Sequence, residues 1–258
     1  MRLMKRILSA AAVLALSASL LVGCSSGTAS SVPVSASSAA ESTVSSVEET
    51  ASSAVDENEA AAAQLLNDLT GSYQELWPVI LADEYKQTWL DVCTALVGED
   101  NAEAAFEKLS SMVTGDVYGE DAVKAYANGG GAYFCGFTNS LATLTFDGET
   151  STISGTDKDG NVLFSHTYHY IGMEPVRGLY EFESDDADSG EFTYFFLAPD
   201  TSAETYHIEF RYGSDADALS QYDAGDYAYW VASGISTDCD QTMIDNCIEL
   251  FCTENLAG

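Results

Sequence analysis

The sequence predicts an α+β fold in one domain: N-terminal helices, then an antiparallel β-barrel, then a C-terminal helix. Three observations carry this. Between residues 59 and 127 apolar residues recur at helical spacing. From Gly129 onward the period drops to two, in short runs separated by Asp/Asn/Gly turns. Near the end, Met243, Ile244, Cys247, Ile248 and Phe251 return to a single helical face. Several short strands joined by tight turns form the pattern of a meander that closes on itself.

The first 23 residues read as a signal and not as fold. Arg2, Lys5 and Arg6 form a basic start, and an apolar run from Ile7 to Val22 follows, broken only by three serines. The run is too short and too rich in Ala and Ser for a good membrane span. It ends in Leu21-Val22-Gly23-Cys24, which resembles the lipobox of bacterial lipoproteins, where the cysteine thiol carries diacylglycerol. The plainer alternative is a secretory signal with a chance cysteine. The expectation is lipidation at Cys24 and an extracytoplasmic protein held on the bacterial membrane. Residues 24–58 read as a spacer, since twelve of the 29 residues from 25 to 53 are serine and none is aromatic. Such a segment cannot bury enough surface to offset its chain entropy, and its reach is roughly 30–35 Å.

The predicted domain, 59–258, begins with an Ala/Leu-rich helix from Glu59 to Leu69. Gly71-Ser72-Tyr73 breaks it, and Gln74-Glu75-Leu76-Trp77 starts another short helical stretch. Asp83 is an N-cap candidate for Glu84 to Val97, where Trp89, Val92, Cys93 and Leu96 share a face; Asn101 is the candidate for Ala102 to Val113. Glu120 to Ala127 is a shorter helix. Predicted strands are Tyr133–Phe137, Leu141–Asp147, Thr150–Ser154, Val162–Ile171, Gly178–Glu183, Glu191–Leu197 and Thr205–Tyr212. Helix returns at Asp217 to Tyr222 and at Asp240 to Thr253.

Composition narrows the function. With 41 acidic residues against 9 basic, the formal net charge is −32. There is no basic surface for phosphate backbones, which argues against nucleic-acid binding. Cleavage after residue 23 removes three cations and no anion, leaving −35. Anionic membranes would repel the folded part, so membrane contact would come through the lipid alone, while cations are favoured. Six cysteines are too few for a disulfide scaffold, although a disulfide or two outside the cell is consistent with their number.

The motif search mostly returns structural readings. Phosphate-cradling, dinucleotide, Gly-x-Ser-x-Gly and His-Glu-x-x-His patterns are missing. No nucleophile–base pair can be named, so no enzymatic activity is expected. Asp157-Lys158-Asp159-Gly160-Asn161 looks like the start of a calcium loop, but the closing Glu would fall at Tyr168, so a hairpin turn is expected. The acidic turn from Glu183 to Glu191 reads as a solvated face. His166 and His169 lie on one strand at an offset that sends them to opposite faces. In His207-Ile208-Glu209-Phe210-Arg211-Tyr212, His207, Glu209 and Arg211 share one face and Ile208, Phe210 and Tyr212 the other. An imidazole and a carboxylate at i, i+2 suit Zn²⁺ or a similar divalent ion. The bland reading is a polar strand face with a His–Glu or Glu–Arg contact.

At this strand the chain resembles the ZinT family, extracytoplasmic zinc- and cadmium-binding proteins with a lipocalin-like (calycin-type) barrel. The resemblance runs from about residue 66 to 256. Leu69-Thr70-Gly71-Ser72-Tyr73-Gln74-Glu75-Leu76-Trp77-Pro78 is similar to the family's opening, and Val176-Arg177-Gly178-Leu179-Tyr180-Glu181-Phe182-Glu183 to one of its strands. Phe195-Phe196-Leu197-Ala198-Pro199 resembles its "H-I-I-A-P", and Tyr206 to Gly213 its "H-x-H-x-x-x-G" strand. Metal binding in the family rests on three histidines. Carried over by position, His207 keeps one ligand, Glu209 replaces the second, and the third falls at Phe195, which cannot ligate. The resemblance therefore implies a divalent-metal protein, zinc first, which scavenges, buffers or delivers metal to an importer. Its ligands would be His207 and Glu209, with His169 the first choice for a third and His166 beside it, because barrel interiors collect side chains from neighbouring strands. The rival expectation, from the phenylalanine at 195 and the aromatic strands around it, is a metal-free barrel that binds a small ligand or another protein.

Overall fold

The computed structural model describes residues 57–198 and 207–256. The predicted signal peptide, Cys24, the serine-rich spacer as far as residue 56, and Thr205 and Tyr206 of the predicted strand lie outside the described residues. Eight antiparallel strands form a closed barrel in sequence order, each bonded to the next and the last to the first. They are β1 (Gly71–Glu75), β2 (Thr143–Asp147), β3 (Thr152–Thr156), β4 (Val162–Met173), β5 (Tyr180–Ser184), β6 (Tyr194–Leu197), β7 (His207–Gly213) and β8 (Ala232–Ser236). The helices are α1 (57–68), α2 (Leu76–Ile80), α3 (Lys86–Val97), α4 (Glu99–Val113), α5 (Glu120–Ala127), α6 (Ala216–Leu219) and α7 (Gln241–Leu256). Among the described residues no helix is long and apolar enough to cross a membrane.

The α+β class and the barrel agree with expectation, and three elements do not. Residues 71–75 form a strand where a helix break and restart were expected, so the barrel opens before α2–α5 and not after them. Only Tyr73 of β1 is buried, and the segment is held as a strand by pairing with both β2 and β8. Tyr133–Phe137 is not a strand. Phe134 makes single bridges to Thr114 and Trp230, and Phe137 packs into the barrel core against Phe210, with ring centres 5.3 Å apart. β8 was not foreseen at all. Helix starts also move: Asn101 does not cap α4 but donates from Nδ2 to the Val97 carbonyl at 3.0 Å. Asp215, at 3.0 Å from the Ala218 amide, starts α6 early. At the β3–β4 turn the hairpin reading holds. Asp157 accepts from the Asp159 and Asn161 amides at 2.9 and 2.8 Å, and these bonds with the Asn161 side chain, the largest cause, pull its pKa below the usual range.

The chain builds two cores. Alternation along the strands sends Phe146, Phe164, Phe182, Phe195, Phe210 and Tyr212 into the barrel, where they are fully or almost fully buried. Ring contacts such as Phe164–Phe192 at 4.0 Å and Phe195–Tyr212 at 5.4 Å leave an interior filled with aromatic side chains. α1 joins this core through Ala62, Leu65, Leu66 and Leu69. The second core lies between the outer face of the barrel and the helices. Ile235 of β8 meets Leu76, Ile80, Trp89, Leu109, Ile244 and Ile248 there.

Gly148, at the β2–β3 turn, shows how closely α1 is docked. A Cβ on it would come within 2.4 Å of the Asn67 Cα, and its amide donates to Thr70 Oγ1 at 3.0 Å. Backbone blocks that space, so Gly148→Ala is expected to destabilise by about 1–3 kcal/mol. Urea denaturation checks this, and an unchanged midpoint would mean that α1 tolerates a shift at that turn.

Candidate functional site

β7 carries the predicted donors, and its burial follows the alternation. Ile208, Phe210 and Tyr212 point into the barrel core, while His207 is half-buried and Glu209 exposed on the outer face. Across the sheet His207 stands opposite Ile235, and Glu209 opposite Ser233 of β8. The expectation that the site would gather inside the barrel is thereby corrected: aromatic rings occupy that interior, and His207 and Glu209 face the helical layer.

Two recesses lie on this outer face. The smaller, about 30 Å³, is walled by His207 and Glu209 from β7, Cys247, Phe251 and Glu254 from α7, and Trp77 from α2. That volume holds one water or one ion. The larger, about 340 Å³, is lined by Arg177, Tyr133, Cys135, Ser233 and Asn255 together with Trp77, Phe251 and Glu209. Glu209, Trp77 and Phe251 border both. Burial, followed by the nearby Glu209 carboxylate, pushes the Cys135 and Cys247 thiols up to about 12. Both are therefore thiols at neutral pH and not ready-made thiolate ligands. The Trp77 indole N–H is buried beside the Cys135 sulfur.

His166 and His169 lie elsewhere, as β5 and β6 separate their strand from β7. They take opposite faces of β4, as their spacing predicts. His166 Nδ1 pairs with Asp186 at 2.7 Å. His169 Nδ1 pairs with Asp185 at 2.7 Å, and its Nε2 is 4.0 Å from Glu183, its neighbour across the strands. The structure brings His207 and Glu209 together and ties the other two histidines to the acidic β5–β6 turn. Among the described residues no group of three or more His, Cys, Asp or Glu side chains is arranged to hold a metal ion.

The residues missed by sequence reasoning come from other elements. Glu254 lies on α7, one residue past the end of the helix expected from Asp240 to Thr253. Arg177 sits in the β4–β5 turn, where the Glu174 carboxylate accepts from the Val176 and Arg177 amides at 2.8 and 2.6 Å. Its guanidinium lies 4.2 Å from the centre of the Tyr222 ring and donates to the Tyr133 hydroxyl at 3.2 Å. Its being one of two arginines in an acidic domain, with Arg211 the other, was the available signal. Arg211, on the same strand as Glu209, turns toward backbone carbonyls in the segment after β7. It is fully buried, donating to the carbonyls of Leu219, Gln221 and Tyr227 with its guanidinium 4.3 Å from the Tyr222 ring centre.

No family model matches the sequence, and no curated protein matches it. Among solved structures, the chain is similar to zinc-bound AdcA from Streptococcus pneumoniae. The identity is 14% over 72% of this chain and 35% of that one, with a TM-score of 0.43. It is similar also to the zinc-bound ZinT-like domain of Streptococcus pneumoniae AdcA, at 16% identity over 71% of this chain and 89% of that one, with a TM-score of 0.45.

Proposed function

We propose that the protein is an exported, lipid-anchored binding protein that takes up a divalent metal ion, zinc first, at His207 and Glu209, and that it performs no catalysis. The observation that carries this reading is the outer face of β7. It places an imidazole and a carboxylate, the donors that suit zinc, in a recess of about 30 Å³ across which α7 offers Glu254. Two donors with a single carboxylate across the recess fall short of a closed site, which suits a cargo ion that must be released. The excess of anions raises the local cation concentration around it. The basic start, the apolar run and Leu21-Val22-Gly23-Cys24 support export and acylation at Cys24. Scavenging, buffering or delivery to an importer component are the roles such a site fits.

The test is calorimetric titration of the chelator-stripped full chain with zinc, beside His207→Ala/Glu209→Ala. The expected outcome is a loss of affinity of at least about tenfold, or 1.4 kcal/mol. Unchanged binding in the double variant, or weak binding abolished by salt alone, would assign the metal to surface carboxylates and overturn the reading.

One observation favours a second reading, in which the barrel carries a small organic ligand. The recess of about 340 Å³ sets Arg177 and Glu209 among Trp77, Met112, Val113 and Phe251, a lining suited to a small amphiphile. Thermal melts separate the two. Zinc at a hundredfold excess over Kd adds about 2.7 kcal/mol if it binds the native state alone. The second reading predicts no stabilisation by zinc.

A further inference from the structure

Cys93 on α3 and Cys252 on α7 are both fully buried in the helical core. Their side chains are near enough to interact directly with each other. Two further contacts hold the helices in this register. Trp89, one turn before Cys93, packs edge-on against Phe251 with ring centres 6.1 Å apart. Thr88 Oγ1 donates to Asp245 at 3.4 Å. The juxtaposition is therefore a property of two packed helices and not of a loose surface. Cys135 and Cys247 border the recesses, and Cys239 is only partly buried; none of the three has a comparable thiol partner among the described contacts.

We infer that Cys93 and Cys252 form a disulfide that staples the C-terminal helix to α3 when the chain folds under oxidising conditions. In the cell this rests on the export proposed above; the pairing itself does not depend on metal binding. The chemistry is thiol–disulfide exchange with a disulfide-bearing oxidant. One thiolate attacks a sulfur of that oxidant and expels the other as a thiol, giving a mixed disulfide. The second thiolate then attacks the Cys sulfur of the mixed disulfide and releases the oxidant's remaining half. Two protein thiols lose two protons and two electrons, and one oxidant disulfide becomes two thiols.

Burial gives this pair a timing. In the folded reduced protein the sulfurs are closed to solvent, and burial pushes both thiols up from their ordinary value. A thiolate at that position is scarce, and exchange is correspondingly slow. The bond must form before α7 has docked on α3. The redox state is then set at folding and retained afterwards.

The experiment refolds the full chain with oxidised glutathione, blocks free thiols and maps the peptides. Cleavage at Glu249 separates Cys247 from Cys252. The expected result is a Cys93–Cys252 peptide and a mass 2 Da below that of the reduced chain. The melting midpoint should fall by about 5–10 °C on reduction. Folded, reduced protein given the same oxidant should gain that peptide far more slowly. Cys93→Ser/Cys252→Ser should lose the redox-dependent shift in its melt while its zinc titration stays that of the native chain. If this variant does not fold, the peptide map of the unsubstituted chain decides. Cys93 and Cys252 recovered as blocked thiols after oxidative refolding, or joined to other cysteines, would overturn the inference without touching the zinc proposal.

Discussion

Arg211→Met is expected to destabilise the domain by about 3–5 kcal/mol, the size reached when a buried charged group is taken from its partners. The guanidinium is fully buried without a carboxylate contact among its described partners, and burial lowers its pKa from the usual arginine value. It is retained because it donates to three backbone carbonyls, those of Leu219, Gln221 and Tyr227, in the connection between α6 and β8. Methionine keeps the apolar stem but leaves those acceptors buried, and each orphaned acceptor costs about 1–3 kcal/mol. Lysine keeps the charge but cannot present a planar fork to separate carbonyls, so Arg211→Lys should recover only part of the loss. Urea denaturation of the three proteins checks the order. A loss below 1 kcal/mol in the methionine variant would mean that the loop finds other donors.

Phe195→Ala is expected to cost a similar amount, about 3–5 kcal/mol. Phe195 is fully buried and packs against Tyr168, Tyr212, Phe164 and Phe210, with ring centres 5.4, 5.4, 5.8 and 6.4 Å away. No smaller side chain can fill that space. The position also discriminates between locations for a metal site. The family resemblance sets a ligand at 195, yet the residue points into the barrel while His207 points out. Phe195→His should therefore lose stability, since an imidazole would be buried among rings, and leave zinc affinity unchanged. Tighter zinc binding in that variant would place the site inside the barrel and overturn the outward assignment.

The legible parts of the fold were those whose pattern is local. The alternation in β7 showed which side chains face inward, and the turns at 157–161 and 185–190 marked hairpin ends. β1 and β8 were not legible for a physical reason. Gly71–Glu75 has one buried residue, and Ala232–Ser236 is built of Ala, Ser, Gly and a single Ile. Neither segment has the β-branched or aromatic content that signals a strand, and both become strands through pairing across the closed sheet. Tyr133–Phe137 failed in the opposite way, with aromatic residues that suit a strand but pack without a strand ladder, Phe134 and Phe137 against the barrel core. At the site, the strand spacing placed His207 and Glu209 on one face of β7, as the structure has them. Glu254, Arg177 and Trp77 reach the same recesses from distant elements, which a one-dimensional pattern does not encode.

Barrel closure across β1 and β8, with Tyr73 opposite Ser236, has a consequence for how the chain is made. The two strands of the seam stand near opposite ends of the domain, so the closing contacts are among the most distant in sequence. Folding dominated by such pairings is slow, on the order of milliseconds to seconds. Until residues 232–236 have left the ribosome, β1 and β7 each present an unpaired edge, a surface that recruits other strands. A chain clipped or stalled before Ala232 should therefore not survive as a smaller stable unit. It would behave as an open sheet prone to aggregation, and the length of intact chain, more than its concentration, would decide whether any protein is recovered.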